Sequence, residues 1–204
     1  MCIRDRLKDE HKNSAKTSLL SIASNNPNYR FEFGDLQNFE NKLYRVNEEF
    51  NQNINTWTVS NVIDFNSTFS SAKKFNQPID NWVTSSAINM SQMFFNAIEF
   101  DQPLTNFDTK SVTKMNRMFR DAQKFNQDIS SWDVSNVNHM GEMFLNATSF
   151  NQDLSSWNVS NVNNMVNIFY NAQELSDENK CAIHTEFSSN DNWPYDWDEY
   201  CSDE

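Results

Sequence analysis

The side chains able to do chemistry are few and lie far apart in this chain. Of three histidines, His11 and His184 stand alone. His139 lies at a place that Lys114 and Asn164 occupy 25 residues to either side. A place that accepts any polar side chain reads as an exposed surface rather than a catalytic or metal-binding one. There is no glycine-rich phosphate loop, no H-E-x-x-H, no paired C-x-x-C and no G-x-S-x-G. Seven methionines (Met90, Met93, Met115, Met118, Met140, Met143 and Met165) recur at fixed spacing, which suits adaptable core filling better than a metal site. Cys181 and Cys201 flank an aromatic tail, so a disulfide between them would tie that tail down in an oxidising compartment. Cys2 would then be left over. These residues give no reason to expect an enzyme, a cofactor or a metal.

What the chain does carry is a repeat. Five copies of a 25-residue unit start at Phe50, Phe75, Phe100, Phe125 and Phe150, without insertions. Self-similarity at such a period is the signature of stacked repeat architectures. Numbering each copy from 1 to 25, apolar residues recur at 1, 5, 8, 10, 13, 16, 19, 20 and 23. Positions 13, 16, 20 and 23 (Val137, Met140, Phe144 and Ala147 in the fourth copy) follow the spacing of one helix face. Positions 8 and 10 (Trp132, Val134) alternate as a half-buried strand does. The spacing therefore predicts an α/β fold: a right-handed solenoid of strand-helix units, with a parallel sheet on one face and helices on the other.

The polar residues have places in the same scheme. Ser and Asn at positions 11 and 12, such as Ser135 and Asn136, are expected to cap the helix. The Asn-Gln pair at positions 2 and 3 (Asn51-Gln52, Asn76-Gln77, Asn126-Gln127, Asn151-Gln152) is expected to form a structural ladder bridging successive copies.

Four segments follow: 1–24, an N-terminal stretch whose opening MCIRDRLKDE reads as artificial or truncated; 25–49, a degenerate capping copy; 50–174, the five copies; and 175–204, a C-terminal cap. In the cap, Ser176 followed by Asp177 and Glu178 should start a helix carrying Cys181, Ile183, His184 and Phe187. Trp193, Tyr195, Trp197 and Tyr200 are placed to fold over the last copy as a lid.

A net charge of −12 argues against binding nucleic acid through phosphates and against an anionic membrane surface. No apolar run is long enough for a membrane span.

The stretch I-x-x-W-x-V-S-N-V-x-x-M-x-x-M-F-x-x-A-x-x-F-N-Q, nearly whole at 129–152, resembles the BspA-like leucine-rich-repeat surface proteins and the related repeat region of mycoplasmal lipoproteins. The resemblance covers 50–174 and rests on Trp at 8, Met-Phe at 19 and 20, and Asn-Gln at 2 and 3. It implies a leucine-rich-repeat protein on a bacterial cell surface, extracellular, with adhesion and protein binding as roles, and no shared catalytic residues. The third copy departs from the pattern with Phe107 in place of Trp.

If positions 8 and 10 face inward, positions 7 and 9 face out. The candidate binding face is then Thr56, Asn81, Asn106, Ser131 and Ser156 in one row, with Thr58, Val83, Asp108, Asp133 and Asn158 in the other. Short polar side chains in register would suit a protein or glycan ligand, or calcium near Asp108 and Asp133, although no calcium motif is present. The expectation is a monomeric, non-enzymatic interaction module without membrane insertion. The competing reading is a structural spacer with no ligand of its own.

Overall fold

In the computed structural model of the chain, residues 48–201 are described. The degenerate copy expected over 25–49 and the segment 1–24 lie outside the described residues, apart from residues 48 and 49.

The apolar positions form one buried cluster running from Phe50 to Phe187. Successive copies lie against one another in register. Phe at position 1 stacks on the next, with ring centroids 5.6 Å apart for Phe50–Phe75 and 5.7 Å for Phe75–Phe100. Phe at position 20 forms a second column, from Phe69–Phe94 at 5.4 Å to Phe144–Phe169 at 5.4 Å. The two columns touch, since Phe94 and Phe100 stack at 4.0 Å and Phe119 and Phe125 at 3.9 Å. Trp57, Trp82, Trp132 and Trp157 are all buried.

The expected α/β solenoid with helix and sheet layers is overturned. Among the described residues there is one α-helix, in the cap, and no β-strand. Positions 16–23, read from their spacing as a helix, form overlapping four-residue turns. Thus the amides of Met93, Phe95 and Ala97 donate to the carbonyls of Met90, Gln92 and Phe94.

Two features exclude a helix there. The residues at positions 18 and 22 have positive φ in every copy, for example Gln92 at 56° and Asn96 at 54°, outside the right-handed helical region. In addition, alternate amides donate to the next copy instead of along the chain: Met90 to Lys114, Gln92 to Asn116, Phe94 to Met118 and Asn96 to Arg120, at 2.7–3.0 Å. These bonds satisfy the backbone between copies, as a parallel ladder would. Among the described residues the only bridges are isolated parallel ones at position 15, linking Asp64, Asn89, Lys114, His139 and Asn164 in series.

Positions 8–10, expected to be the strand, carry no ladder. The amide of residue 8 turns back to the carbonyl of residue 5, as in Trp132 to Ile129 at 3.1 Å, and residue 13 bonds residue 10 in the same way. Side chains join the copies here. The indole Nε1–H of Trp82, Trp132 and Trp157 donates to the carbonyls of Ile54, Leu104 and Ile129 in the preceding copy, each at 3.1 Å. With no helix to follow, Ser and Asn at 11 and 12 are not helix caps. Asn136 and Asn161 donate instead to the carbonyls of Lys110 and Ser135 in the preceding copy.

The amides at positions 2 and 3 do form a ladder. Asn51 Oδ1 accepts from the Asn76 amide and the Gln77 side chain, and Asn76 Oδ1 does the same for Asp101 and Gln102. Asp101 takes the role in the third copy, accepting from Asn126 at 3.0 Å and Gln127 at 2.8 Å.

Helix α1, Asp177–Phe187, follows Leu175, with Ser176 as N-cap accepting from the Asn179 amide at 3.2 Å. The acidic Asp177 and Glu178 in its first turn suit the positive end of the helix dipole. Ile183 and Phe187 are buried in the same core cluster as the copies. A 3₁₀ turn, Asp198–Cys201, ends the described chain.

Candidate functional site

All ten residues of the two proposed rows are exposed, so the inward-outward alternation at positions 7–10 holds even though no sheet carries it. Much of their polar capacity is used locally. At position 7, the Asn106 side chain donates to the Asp80 carbonyl and the Ser156 hydroxyl to the Ser130 carbonyl, so both tie one copy to the one before. At position 9, Asp108 Oδ1 accepts from the Lys110 amide, Asp133 Oδ1 from the amide and hydroxyl of Ser135, and Asn158 Oδ1 from the Ser160 amide. These are Asx turns that set the chain's next bend. The Ser135 hydroxyl, with the Ser135 amide after it, holds the Asp133 carboxyl below the usual carboxylate range. The two carboxylates thus point into separate turns. They do not gather into a calcium site. Val83, 56% exposed, is the apolar exception in the row.

The cap is a second region. Cys181 and Cys201 are joined by a disulfide with Cα atoms 4.9 Å apart, pinning the tail to α1. Trp193 packs edge-on against Phe169, Phe187 and Trp197. Tyr195 reaches further: its hydroxyl oxygen accepts the Phe169 amide at 3.0 Å. In the four preceding copies, the amide at position 20 donates to the carbonyl at position 19 of the next copy, so the phenol stands where a sixth carbonyl would be. Burial pushes the Tyr195 hydroxyl up to about 12, against the smaller opposing effect of the Phe169 amide. Asn190 completes the closure by donating to the carbonyls of Val159 and Val162. The aromatic content of the tail gave its place, but nothing in the sequence marked Tyr195 or Asn190 as substitutes for a backbone.

Beside the cap, His184, Asp196 and Asp198 bring three possible ligand atoms within 4.8 Å of one another. The hydrogen bonds there disfavour a metal. Trp193 Nε1–H donates to His184 Nδ1 at 2.9 Å, so the imidazole proton sits on Nε2, facing Asp198 Oδ1 at 2.9 Å. A metal-bound histidine needs the reverse, with a bare Nε2 and Nδ1–H donating outward; that proton would meet the indole N–H head-on. The arrangement clasps the 3₁₀ turn to α1.

Residues 24–109 and 99–186 each match the family described as Mycoplasma protein of unknown function, DUF285. The chain belongs to the DUF285 family. The two matches overlap over 99–109, at the start of the third copy, and together take in all five copies and most of α1. No curated protein and no solved structure gives a significant match to this DUF285 chain. No helix among the described residues is long and apolar enough to cross a membrane.

Proposed function

We propose that this DUF285 protein is a non-enzymatic interaction module, displayed on the cell surface or secreted, that binds a protein or glycan through the exposed residues at positions 7 and 9. One observation carries the reading: all ten of those side chains are exposed, and residue type changes along each row (Thr, Asn, Asn, Ser, Ser at position 7; Thr, Val, Asp, Asp, Asn at position 9), while Phe at positions 1 and 20 and Ala at position 23 in the core stay the same in every copy. A variable surface on an invariant frame is the usual layout of repeat proteins that recognise partners. The Cys181–Cys201 disulfide supports an oxidising location. The family match supports a mycoplasma-type origin for the repeat. Kinship with the BspA-like leucine-rich-repeat proteins belongs to this proposal as well and rests on the Trp, Met-Phe and Asn-Gln positions.

The test is a triple variant, Asp108→Lys, Asp133→Lys and Asn158→Lys, panned beside the parent against arrays of host-cell proteins and glycans. An interaction module loses partners that the parent captures, with circular dichroism unchanged. A parent that captures nothing above background would favour the spacer and refute the proposal.

A further inference from the structure

Position 15 has a second use besides bridging. In three copies its side chain accepts the amide two residues on: Asp64 Oδ1 from Asn66 at 2.9 Å, Asn89 Oδ1 from Ser91 at 3.0 Å, and Asn164 Oδ1 from Val166 at 3.1 Å. The third and fourth copies have Lys114 and His139 there, neither of which offers that oxygen. The amides of Asn116 and Gly141 accordingly have no acceptor among the described residues. They belong to adjacent copies, so by the usual spacing of paired chains they lie about 5 Å apart.

These two amides lie in a hollow of about 340 Å³ whose lining includes Lys114, Arg117, His139 and Glu142. Gly141 keeps it open. A Cβ on that residue would stand 2.9 Å from Asn164 Oδ1 and 3.3 Å from Val166 Cγ1, filling the space between the copies. The charge in the hollow is positive. Glu142, its one carboxylate, is bonded by Arg117 at 3.1 and 3.2 Å and by Arg120; the Arg117 hydrogen bonds, foremost, hold its carboxyl below the usual range. Lys114 and the His139 ring have no side-chain partner among the described residues. In a chain of net charge −12, five of the eight Lys and Arg residues between 48 and 201 fall in the third copy.

Two amide donors without acceptors, an unpaired ammonium and an imidazole around an open hollow call for negatively charged oxygen. We propose that the hollow between the third and fourth copies binds an oxyanion, a carboxylate, phosphate or sulfate group, whose oxygens take the place that an Asx side chain fills in the other copies. The site is built from positions 15 and 17 and is independent of positions 7 and 9. Exposed Lys114 would attract the group, and the amides would fix its orientation.

The experiment is a nitrogen-15 NMR titration of the whole chain with inorganic phosphate, sulfate and acetate in turn, with chloride holding ionic strength constant. The expected result is a saturable downfield shift of the Asn116 and Gly141 amide protons, with Ser91 and Val166 unmoved; the tightest of the three anions identifies the source. The double variant Lys114→Asn, His139→Asn supplies the missing oxygens. It should bind at least about tenfold more weakly, the loss of roughly one charge-assisted hydrogen bond, and unfold at a higher temperature than the parent. Because it copies the residues at 89 and 164, it keeps the local turn. Shifts that never saturate, that spread over the basic residues without touching the two amides, or that persist unchanged in the double variant would overturn the proposal.

Discussion

Phe107 interrupts a column of buried tryptophans, and restoring the indole should stabilise the protein. Trp82, Trp132 and Trp157 each donate Nε1–H to the position-5 carbonyl one copy back. The corresponding acceptor for residue 107 is the Ile79 carbonyl, which receives the Trp82 amide at 3.1 Å and no indole. Phe107 already lies parallel to Trp132, with centroids 6.4 Å apart and planes 8° from parallel, so Phe107→Trp extends an existing stack. A neutral hydrogen bond contributes about 1 kcal/mol. The larger ring, burying on the order of 30 Å² more apolar surface, adds about 0.7 kcal/mol. Overpacking would cost about 1–3 kcal/mol, but the frame around this position holds indoles in the neighbouring copies, so the gain prevails. The expected net is about 1.5 kcal/mol, or roughly 3–6 °C in Tm for a chain of this size. Thermal and urea unfolding followed by circular dichroism measure it, and slow hydrogen exchange at the new indole N–H reports the bond. The reciprocal change, Trp132→Phe, should cost about 1.5–2 kcal/mol, the hydrogen bond and the lost apolar area together, with no further penalty for the Leu104 carbonyl because it keeps the Phe107 amide at 3.1 Å. A Phe107→Trp protein less stable than the parent, or one whose new indole exchanges like an exposed one, would refute the reasoning.

Tyr195→Phe leaves the Phe169 amide without its acceptor and should cost about 1–3 kcal/mol in urea unfolding. The same phenol gives a pH dependence. Its folded value is raised to about 12 from 10, so the unfolded chain loses the proton first; the contribution is complete below pH 10 and fades as pH rises toward 12, a decline that alkaline melts should show for the parent and not for Tyr195→Phe. Cys181→Ala with Cys201→Ala opens a loop whose ends are 20 residues apart. It should cost about 3 kcal/mol by the loop-entropy relation, with protease nicking appearing first near Trp193–Tyr200. Gln92 sits at φ 56°, so Gln92→Gly should stabilise by up to about 1 kcal/mol, whereas Gln92→Pro, which also removes the bond to the Asn116 carbonyl, should destabilise by about 3 kcal/mol or more; chemical denaturation separates the two.

Burial was legible in the sequence because it depends only on which positions are apolar. Each of the recurrent positions, from Phe at 1 to Ala at 23, lies inside. Secondary structure was not, because a spacing of 13, 16, 20 and 23 is shared by a helix and by a run of four-residue turns, and the periodicity of side chains does not say where amides donate. The discriminating signal was Asn at position 22 in three copies (Asn96, Asn146 and Asn171), the residue most tolerant of a left-handed turn after glycine. Positions 8 and 10 misled in a related way: alternation identified the inward side chains, but the indoles, not a ladder of amides, join the copies there. Lys114 and His139 were read as tolerated surface residues. Their meaning emerges only once Asp64, Asn89 and Asn164 are seen accepting the amide two residues on.

The closing residues at the C-terminal end have a bearing on how such a chain changes length. Tyr195, Asn190 and Asn179 engage Phe169, Val159, Val162 and Asn151, which stand at positions 20, 10, 13 and 2. The fourth copy offers the same four residue types at Phe144, Val134, Val137 and Asn126. A plug that grips what the fourth and fifth units share fits either of them as the last. Whole units can then be lost or duplicated in the gene without redesign of the terminus, and reach becomes a quantity that heredity can adjust in fixed steps.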